Sequence, residues 1–477
     1  MTRRGPLPRT KVAEVDGTRP GVVFAIVATG VALATLDQFI VNIAFSSIER
    51  GFDTSLSTLS WVLNAYSIVF AALLVPAGRL ADRSGRKLGF LVGVVIFTVA
   101  SALCAAAPNV EWLISARVVQ AIGAALLMPS SLGLLLAAYP PERRAAAVRG
   151  WTAVTGASAA LGPVLGGLLV SASWRWIFLV NLPVGIAALV LGRRLLPDVR
   201  PERTPLPDLA GAFLLVLGIG SLSLGLVKAH EWGYGSARFI AAVAAAVALV
   251  VVFVARSARH PSPVVELSLL RLRRFRLAGA ATLVYSAGFS AMLLSSILWM
   301  QGGWHWGPIR SGLALAPGPL MVPIFSIASG RLISRIGAGT TAVIGCTIFA
   351  SGSLYWTARV GPTPHYVSEL LPGSILTGIG VRLTLPTLIA IGSTALPPER
   401  FATGSGILSM GRQLGFTLGV AVLVAILAAP AARAADLDSF RHSWIAIASI
   451  SVVAAAMSAL LVERRPAAQP DAVRAQA

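Results

Sequence analysis

Apolar residues run through this chain in long stretches, separated at short intervals by loops rich in Arg, Gly and Pro. These stretches predict helices at 21–43, 58–77, 88–107, 112–136, 150–171, 177–192, 209–227, 239–255, 277–300, 311–330, 338–357, 370–396, 401–428 and 443–461. Each holds about 16–28 residues, enough to cross a bilayer with some tilt. The pattern therefore predicts an all-α polytopic membrane protein with fourteen transmembrane helices. It also repeats. Ile122, Gly123, Leu126 and Pro129 have counterparts in Ile379, Gly380, Leu383 and Pro386, and the loop Pro140-Pro141-Glu142-Arg143 recurs as Pro397-Pro398-Glu399-Arg400 at the same offset. Gly78-Arg79-Leu80 and Gly85 recur as Gly330-Arg331-Leu332 and Gly337 at an offset five residues shorter, which fits a change in loop length. Both echoes fall at the same end of their helices, as in a parallel repeat relating the two bundles of a transporter.

That repeat sets the expected layout. Residues 1–20 form a cytoplasmic tail and 21–192 a six-helix bundle. An inserted transmembrane pair at 209–255, which carries no in-span charge, is followed by a basic cytoplasmic linker at 256–276. A second six-helix bundle at 277–461 and a tail at 462–477 complete it.

Composition agrees with a membrane class: 56% of the residues are hydrophobic and only 12% charged, with a mean hydropathy of +0.78. The formal charge of +20 could suggest nucleic acid, but its distribution argues otherwise. With both termini inside, the tails and inner loops hold 28 of the 39 Lys and Arg, so the charge encodes topology. The expected location is the cell (inner or plasma) membrane. The linker arginines are candidate contacts for anionic lipid, with a plain solvated loop as the alternative. The Arg-rich first twenty residues lack a short apolar core and read as a tail rather than a signal peptide. Cys104 and Cys346 each fall inside a span without a CxxC pattern, so neither a disulfide framework nor a metal site is expected.

The most specific motif follows the second span: Gly78-Arg79-Leu80-Ala81-Asp82-Arg83-Ser84-Gly85-Arg86-Lys87. Its glycines suit a tight turn between antiparallel helices, and its basic residues hold the loop inside. Position for position, this string resembles the signature loop of the major facilitator superfamily. Leu36-Asp37-Gln38-Phe39-Ile40-Val41-Asn42-Ile43-Ala44 is similar to a motif of the fourteen-span drug:proton antiporter branch, departing at Phe39. Arg117-Val118-Val119-Gln120-Ala121-Ile122-Gly123 resembles the branch's proton-coupling motif, departing at Ala121, and Gly156 with Gly162-Pro163-Val164-Leu165-Gly166-Gly167 resembles its antiporter motif. Trp174-Arg175-Trp176-Ile177-Phe178-Leu179-Val180-Asn181-Leu182-Pro183 is also similar to this branch, which the second half matches more loosely through Gln301, Pro317 and Arg412-Gln413-Leu414-Gly415. The resemblance implies a gating role for Asp82 within a loop that includes Gly78, Arg83, Gly85 and Arg86. It implies proton coupling at Arg117, and it links the bend at Gly156, Gly162, Pro163, Gly166 and Gly167 to export. Close helix packing alone would also explain those glycines.

In-span ionisable residues are few: Asp37, Arg117, Arg382 and Arg412. A charge at the bilayer centre costs at least ~2.5–3.5 kcal/mol, so each needs a partner or a wet cavity. A carboxylate there can carry a proton, because desolvation favours its neutral form and a nearby guanidinium its charged form. A static Asp37–Arg117 structural pair is the alternative. Arg382 stands where the repeat-related span has Ala125 and sits deeper than Arg412, which makes it the stronger candidate for a cavity cation. Either arginine could instead bond helix-end carbonyls or snorkel. Gln38, Asn42, Trp61, Tyr66, Gln120, Gln301 and Gln413 are further candidates for lining a substrate cavity that accepts neutral or anionic aromatic molecules.

Other function classes fare worse. None of the three lysines follows a glycine, so no ATP-binding P-loop is present. The five histidines show no H-E-x-x-H. The expected function is a monomeric proton-coupled antiporter that exports small organic molecules without a cofactor, driven by the proton gradient. A facilitator or importer of a small metabolite on the same fold is the rival, ahead of a membrane enzyme.

Overall fold

A computed structural model describes residues 19–198, 205–397, 400–428 and 436–462. The expected tails at 1–20 and 462–477 lie almost wholly outside these residues, as do Pro398 and Glu399 of the second echoed loop. The first half comprises α1 (Pro20–Phe52), α2 (Trp61–Ser84), α3 (Arg86–Ala105), α4 (Val110–Ala138), α5 (Pro141–Ala172) and α6 (Asn181–Leu195). Then come α7 (Leu209–Trp232) and α8 (Ala237–Arg259). The second half holds α9 (Arg273–Leu298), α10 (Pro308–Leu315), α11 (Pro317–Ile324), α12 (Ser326–Ile336), α13 (Ala338–Arg359), α14 (Leu371–Thr394), α15 (Phe401–Leu427) and α16 (Leu437–Ala459).

Local chemistry sets many of these boundaries. α1 and α5 open on Pro20 and Pro141, whose missing N–H is unneeded in the first turn. The Asn109 side chain caps α4 by accepting from the Trp112 amide at 2.8 Å. Asp208 caps α7 in the same way at the Gly211 amide, and the buried carboxylate also takes the Arg256 Nε at 2.7 Å. One acidic side chain thus ties the base of α7 to the end of α8.

Among the described residues, twelve helices are long and apolar enough to cross a membrane. Two of the fourteen expected spans fall outside this count. The stretch 311–330 is broken into α10, α11 and α12, with Pro317 opening a new helix after Ala316. The stretch 338–357 is one continuous helix, α13, but its Gly, Ser and Thr content keeps it outside the twelve.

Packing is densest within each half: α3 with α4, α2 with α4 and α1 with α5 in the first, and α13 with α14, α9 with α15 and α13 with α16 in the second. α2 meets α15, and α5 meets α10, across the halves. α7 lies against both α2 and α15, while α8 rests chiefly on α7 and is largely exposed. The two halves reproduce one contact. A Cβ at Gly123 would meet Phe97 N at 2.6 Å and Gly93 O at 2.9 Å; one at Gly380 would meet Phe349 Cβ at 2.6 Å and Gly345 O at 2.7 Å. Gly85, between α2 and α3, has φ 106°, and Gly337, between α12 and α13, has φ 87°. Both turns therefore need a conformation that favours glycine.

Candidate functional site: a buried charge network beside an interbundle cleft

Arg117 and Gln120 lie three residues apart on α4, so both project from one face towards α1. There Arg117 Nη1 forms an ion pair with Asp37 Oδ2, both side chains being sealed from solvent. Gln120 Nε2 donates to Asp37 Oδ1 at 2.9 Å, and Asn181 Nδ2, from the first turn of α6, donates to the same oxygen at 3.2 Å. Ser101 Oγ on α3 accepts from Gln120 at 2.9 Å and from Asn181 at 3.3 Å. Arg117 is held further by the Val62 carbonyl at 3.2 Å, by Gln120 Oε1 at 2.6 Å and by the Tyr66 ring, whose centroid lies 4.1 Å from the guanidinium. Donors from α4 and α6 thus bond the carboxylate directly, and α2 and α3 hold those donors in place, satisfying a charge that would otherwise be costly to bury.

Sequence reasoning identified Asp37 and Arg117 and quoted Gln120 as a cavity residue. The structure gives Gln120 to the carboxylate instead. Asn181 and Ser101 were missed as members of the network. Asn181 had a signal, a lone amide in an apolar stretch of a quoted motif, whereas Ser101 had none.

Arg117 has a second face. With Gln38, Phe39, Asn42, Tyr66 and Phe416 it lines a cavity of about 30 Å³ between the two halves. That volume suits roughly one water, against ~300–1,000 Å³ for a drug-sized ligand, so the space must enlarge before it can hold an organic molecule. Next to it, Gln38 Nε2 donates to Gln413 Oε1 at 2.6 Å, and Gln413 Nε2 returns a bond at 3.3 Å. Gln301 Nε2 also crosses between the halves, to the Ile43 carbonyl at 3.1 Å. Asn42 is spent on carbonyls of its own helix. Trp61, at the start of α2, does not line the cavity.

The glycine-rich run of α5 closes one end of the interface. A Cβ at Gly162 would meet Phe39 Cβ at 2.8 Å, one at Gly166 would meet Ile40 Cγ1 at 2.9 Å, and one at Gly167 would meet Pro308 O at 2.6 Å. Gly312 of α10 presses in turn against the Pro163 carbonyl. Helical periodicity puts Arg149, Thr152 and Gly156 on the same face of α5 as Pro163. All three are exposed or open, and nothing lies within 4 Å of a Cβ at Gly156. α5 therefore meets α10 at its Ala172 end and stands clear towards its Pro141 end. Arg382 is partly exposed on α14 and has a partner of its own. Arg412 is partly exposed on α15, and no hydrogen bond or ion pair reaches it among the described residues.

The loop with Gly78, Asp82, Arg83, Gly85 and Arg86 lies at the open end. Asp82 accepts from Arg86 Nε at 2.8 Å, and Arg86 Nη1 donates to the Gly133 carbonyl at 3.0 Å, all within the first half. Arg79 Nη1 reaches Ser262 Oγ at 2.5 Å in the stretch expected as a solvated linker. Glu266 of the same stretch pairs with Arg400 Nη1 at 2.5 Å.

Comparison with known proteins places this architecture. A family model described as Major Facilitator Superfamily matches residues 27–358 and 277–477. The chain is 32% identical over 409 residues to a methylenomycin A resistance protein of Streptomyces coelicolor, covering 85% of this chain and 86% of that one. It is 33% identical to a tetracenomycin C resistance and export protein of Streptomyces glaucescens (89% and 78% covered). It is 35% identical to the multidrug resistance protein Stp of Mycobacterium tuberculosis (85% and 76%). The fold is shared at lower identity, 15% in both cases, with an auto-inhibited POT family peptide transporter (TM-score 0.68, 94% and 99% covered) and a bacterial homologue of the lysosomal transporter Spinster (TM-score 0.64, 95% and 97%). The chain is a multi-pass membrane transporter, not an enzyme, and belongs to the Major Facilitator Superfamily.

Proposed function

We infer that this transporter is a proton-coupled antiporter exporting small organic molecules, such as drugs, antibiotics or secondary metabolites, by alternating access. The observation that carries the reading is the buried Asp37–Arg117 pair, because Arg117 belongs both to the carboxylate network and to the wall of the interbundle cavity. A proton arriving on Asp37 removes the charge that holds Arg117, and a change at Arg117 is felt in the cavity. Relatives named for resistance to methylenomycin A and export of tetracenomycin C support the direction of transport and the class of cargo. On this reading the chain crosses the inner or plasma membrane fourteen times, with α10–α12 and α13 completing the count and α7–α8 as an inserted pair between two six-helix bundles. Both termini and the Gly78–Lys87 loop are cytoplasmic, so the cleft in this structure faces inward. The test is flux in everted membrane vesicles with and without an uncoupler, for the native chain and Asp37→Asn. Proton-driven accumulation is expected for the native chain alone. Accumulation by Asp37→Asn at the native rate would put the proton on another residue, and outward flux from the vesicles would make the chain an importer.

A further inference from the structure

The walls of the cleft hold a cation that the fold leaves unmatched. Arg117 is surrounded by acceptors and Arg382 has a partner, but Arg412 has neither a hydrogen bond nor an ion pair among the described residues, and its Nε is shut away from solvent. Its position follows from helix geometry. Gly415 and Gly419 of α15 press against the carbonyls of Leu283 and Ala287 on α9, which fixes that face as the packed one. Arg412 borders that face, at i, i+3 and i, i+7 from the two glycines, and equally borders the stripe of Phe416 and Val420 at i, i+4 and i, i+8, both of which line the interbundle cavity. It lies one turn from Phe416, towards the open end of the cleft, and next to the Gln413 that bonds Gln38.

Beside it stands an apolar surface suited to a ring. Phe39, Phe289 and Phe416 form a triangle with centroids 6.5, 6.4 and 5.7 Å apart, drawn from both halves of the molecule. A planar guanidinium next to such a cluster matches a ligand with an aromatic body and a carboxylate, which accepts two parallel N–H bonds from one arginine.

We propose that Arg412 is the charge-recognising group of the cleft and that the cargo is an aromatic organic anion. Its ring rests on the three phenylalanines, its carboxylate takes Arg412, and its entry displaces the Gln38–Gln413 pair. This rests on the export reading, since it names the cargo for that same cleft.

The test uses three probes with one aromatic body, 2-naphthoate, 2-naphthamide and 2-naphthylmethylammonium, titrated calorimetrically into the full chain in lipid nanodiscs. Naphthoate should bind at least tenfold tighter than naphthamide, with the ammonium weakest. Arg412→Gln should weaken naphthoate at least tenfold while changing naphthamide less than twofold, and Arg412→Lys should keep a reduced preference for the anion. Absence of an anion preference in the native chain overturns the proposal, as does its survival in Arg412→Gln. So does equal loss of all probes in both variants, which would make Arg412 structural. Vesicle flux separates the two readings. Proton-driven export of a dye by a chain without the anion preference removes this proposal alone, whereas a preference for naphthoate without proton-driven flux of any probe removes the export reading and leaves the site.

Discussion

Asp37 shows how a side chain that is costly in a membrane becomes tolerable. Its two oxygens receive one guanidinium and two amides, and the amides are themselves oriented by Ser101. Removing one member of a buried ion pair strands the other, so Arg117→Ala should cost about 3–5 kcal/mol of stability. Adding Asp37→Asn to that variant removes the stranded charge and should restore much of the loss. Thermal unfolding of the two single variants and the double, read as a cycle, checks this. Additive losses would mean that the pair is not coupled. Asn181→Ala deletes a donor to a charged acceptor and should cost about 1.5–3 kcal/mol, more than an exposed polar deletion. The ionic core of this network was legible in the sequence because charged residues inside apolar spans are conspicuous. Ser101 was not, since a serine in a helix ordinarily bonds its own carbonyl ladder, as this one also does at Phe97.

At the scale of elements, α5 joins and separates the two halves. Its Ala172 end leaves no space where Gly167 meets the Pro308 backbone, while its Pro141 end stands clear at Gly156. Gly167→Ala should therefore force α5 and α10 apart and lower the stability of the closure at that end. Gly156→Ala meets nothing here and should stabilise the helix by about 0.5–1 kcal/mol. Unfolding temperatures in detergent provide the comparison, and equal shifts for both variants would contradict the seam. The Gly-Pro run of α5 was readable as close packing, but its partner was not, because α10 belongs to a stretch that periodicity alone renders as one helix. Pro317 and the glycines around it break that stretch, a tertiary choice that an apolar run does not reveal. The outlying pair α7–α8 touches the halves chiefly through α7 on α2 and α15. Substitutions along α8 should accordingly alter expression or stability and leave the substrate profile unchanged, as growth assays across a drug panel would report.

For the whole molecule, alternating access requires the end that is open here to close, and the loop at Asp82 lies at that end. In this structure Asp82 is occupied by Arg86 of its own half, while Arg79 and Arg400, one from each half, hold the connecting stretch through Ser262 and Glu266. These contacts are local and exchangeable, unlike the glycine seam at the far end, where backbone lies against backbone. If closure gives Asp82 a partner in the second half, Asp82→Asn weakens the closed state without affecting the seam. A bias of ~1.4 kcal/mol would change the ratio of the two states tenfold. Both native cysteines are buried, so labelling of a single cysteine introduced at Gly156 reports the opening with little background. The Gly156→Cys chain should label faster when Asp82→Asn is added, and a cysteine replacing the buried Ser311 of α10, beside the seam, should label more slowly. Unchanged rates at both positions would remove Asp82 from the gate.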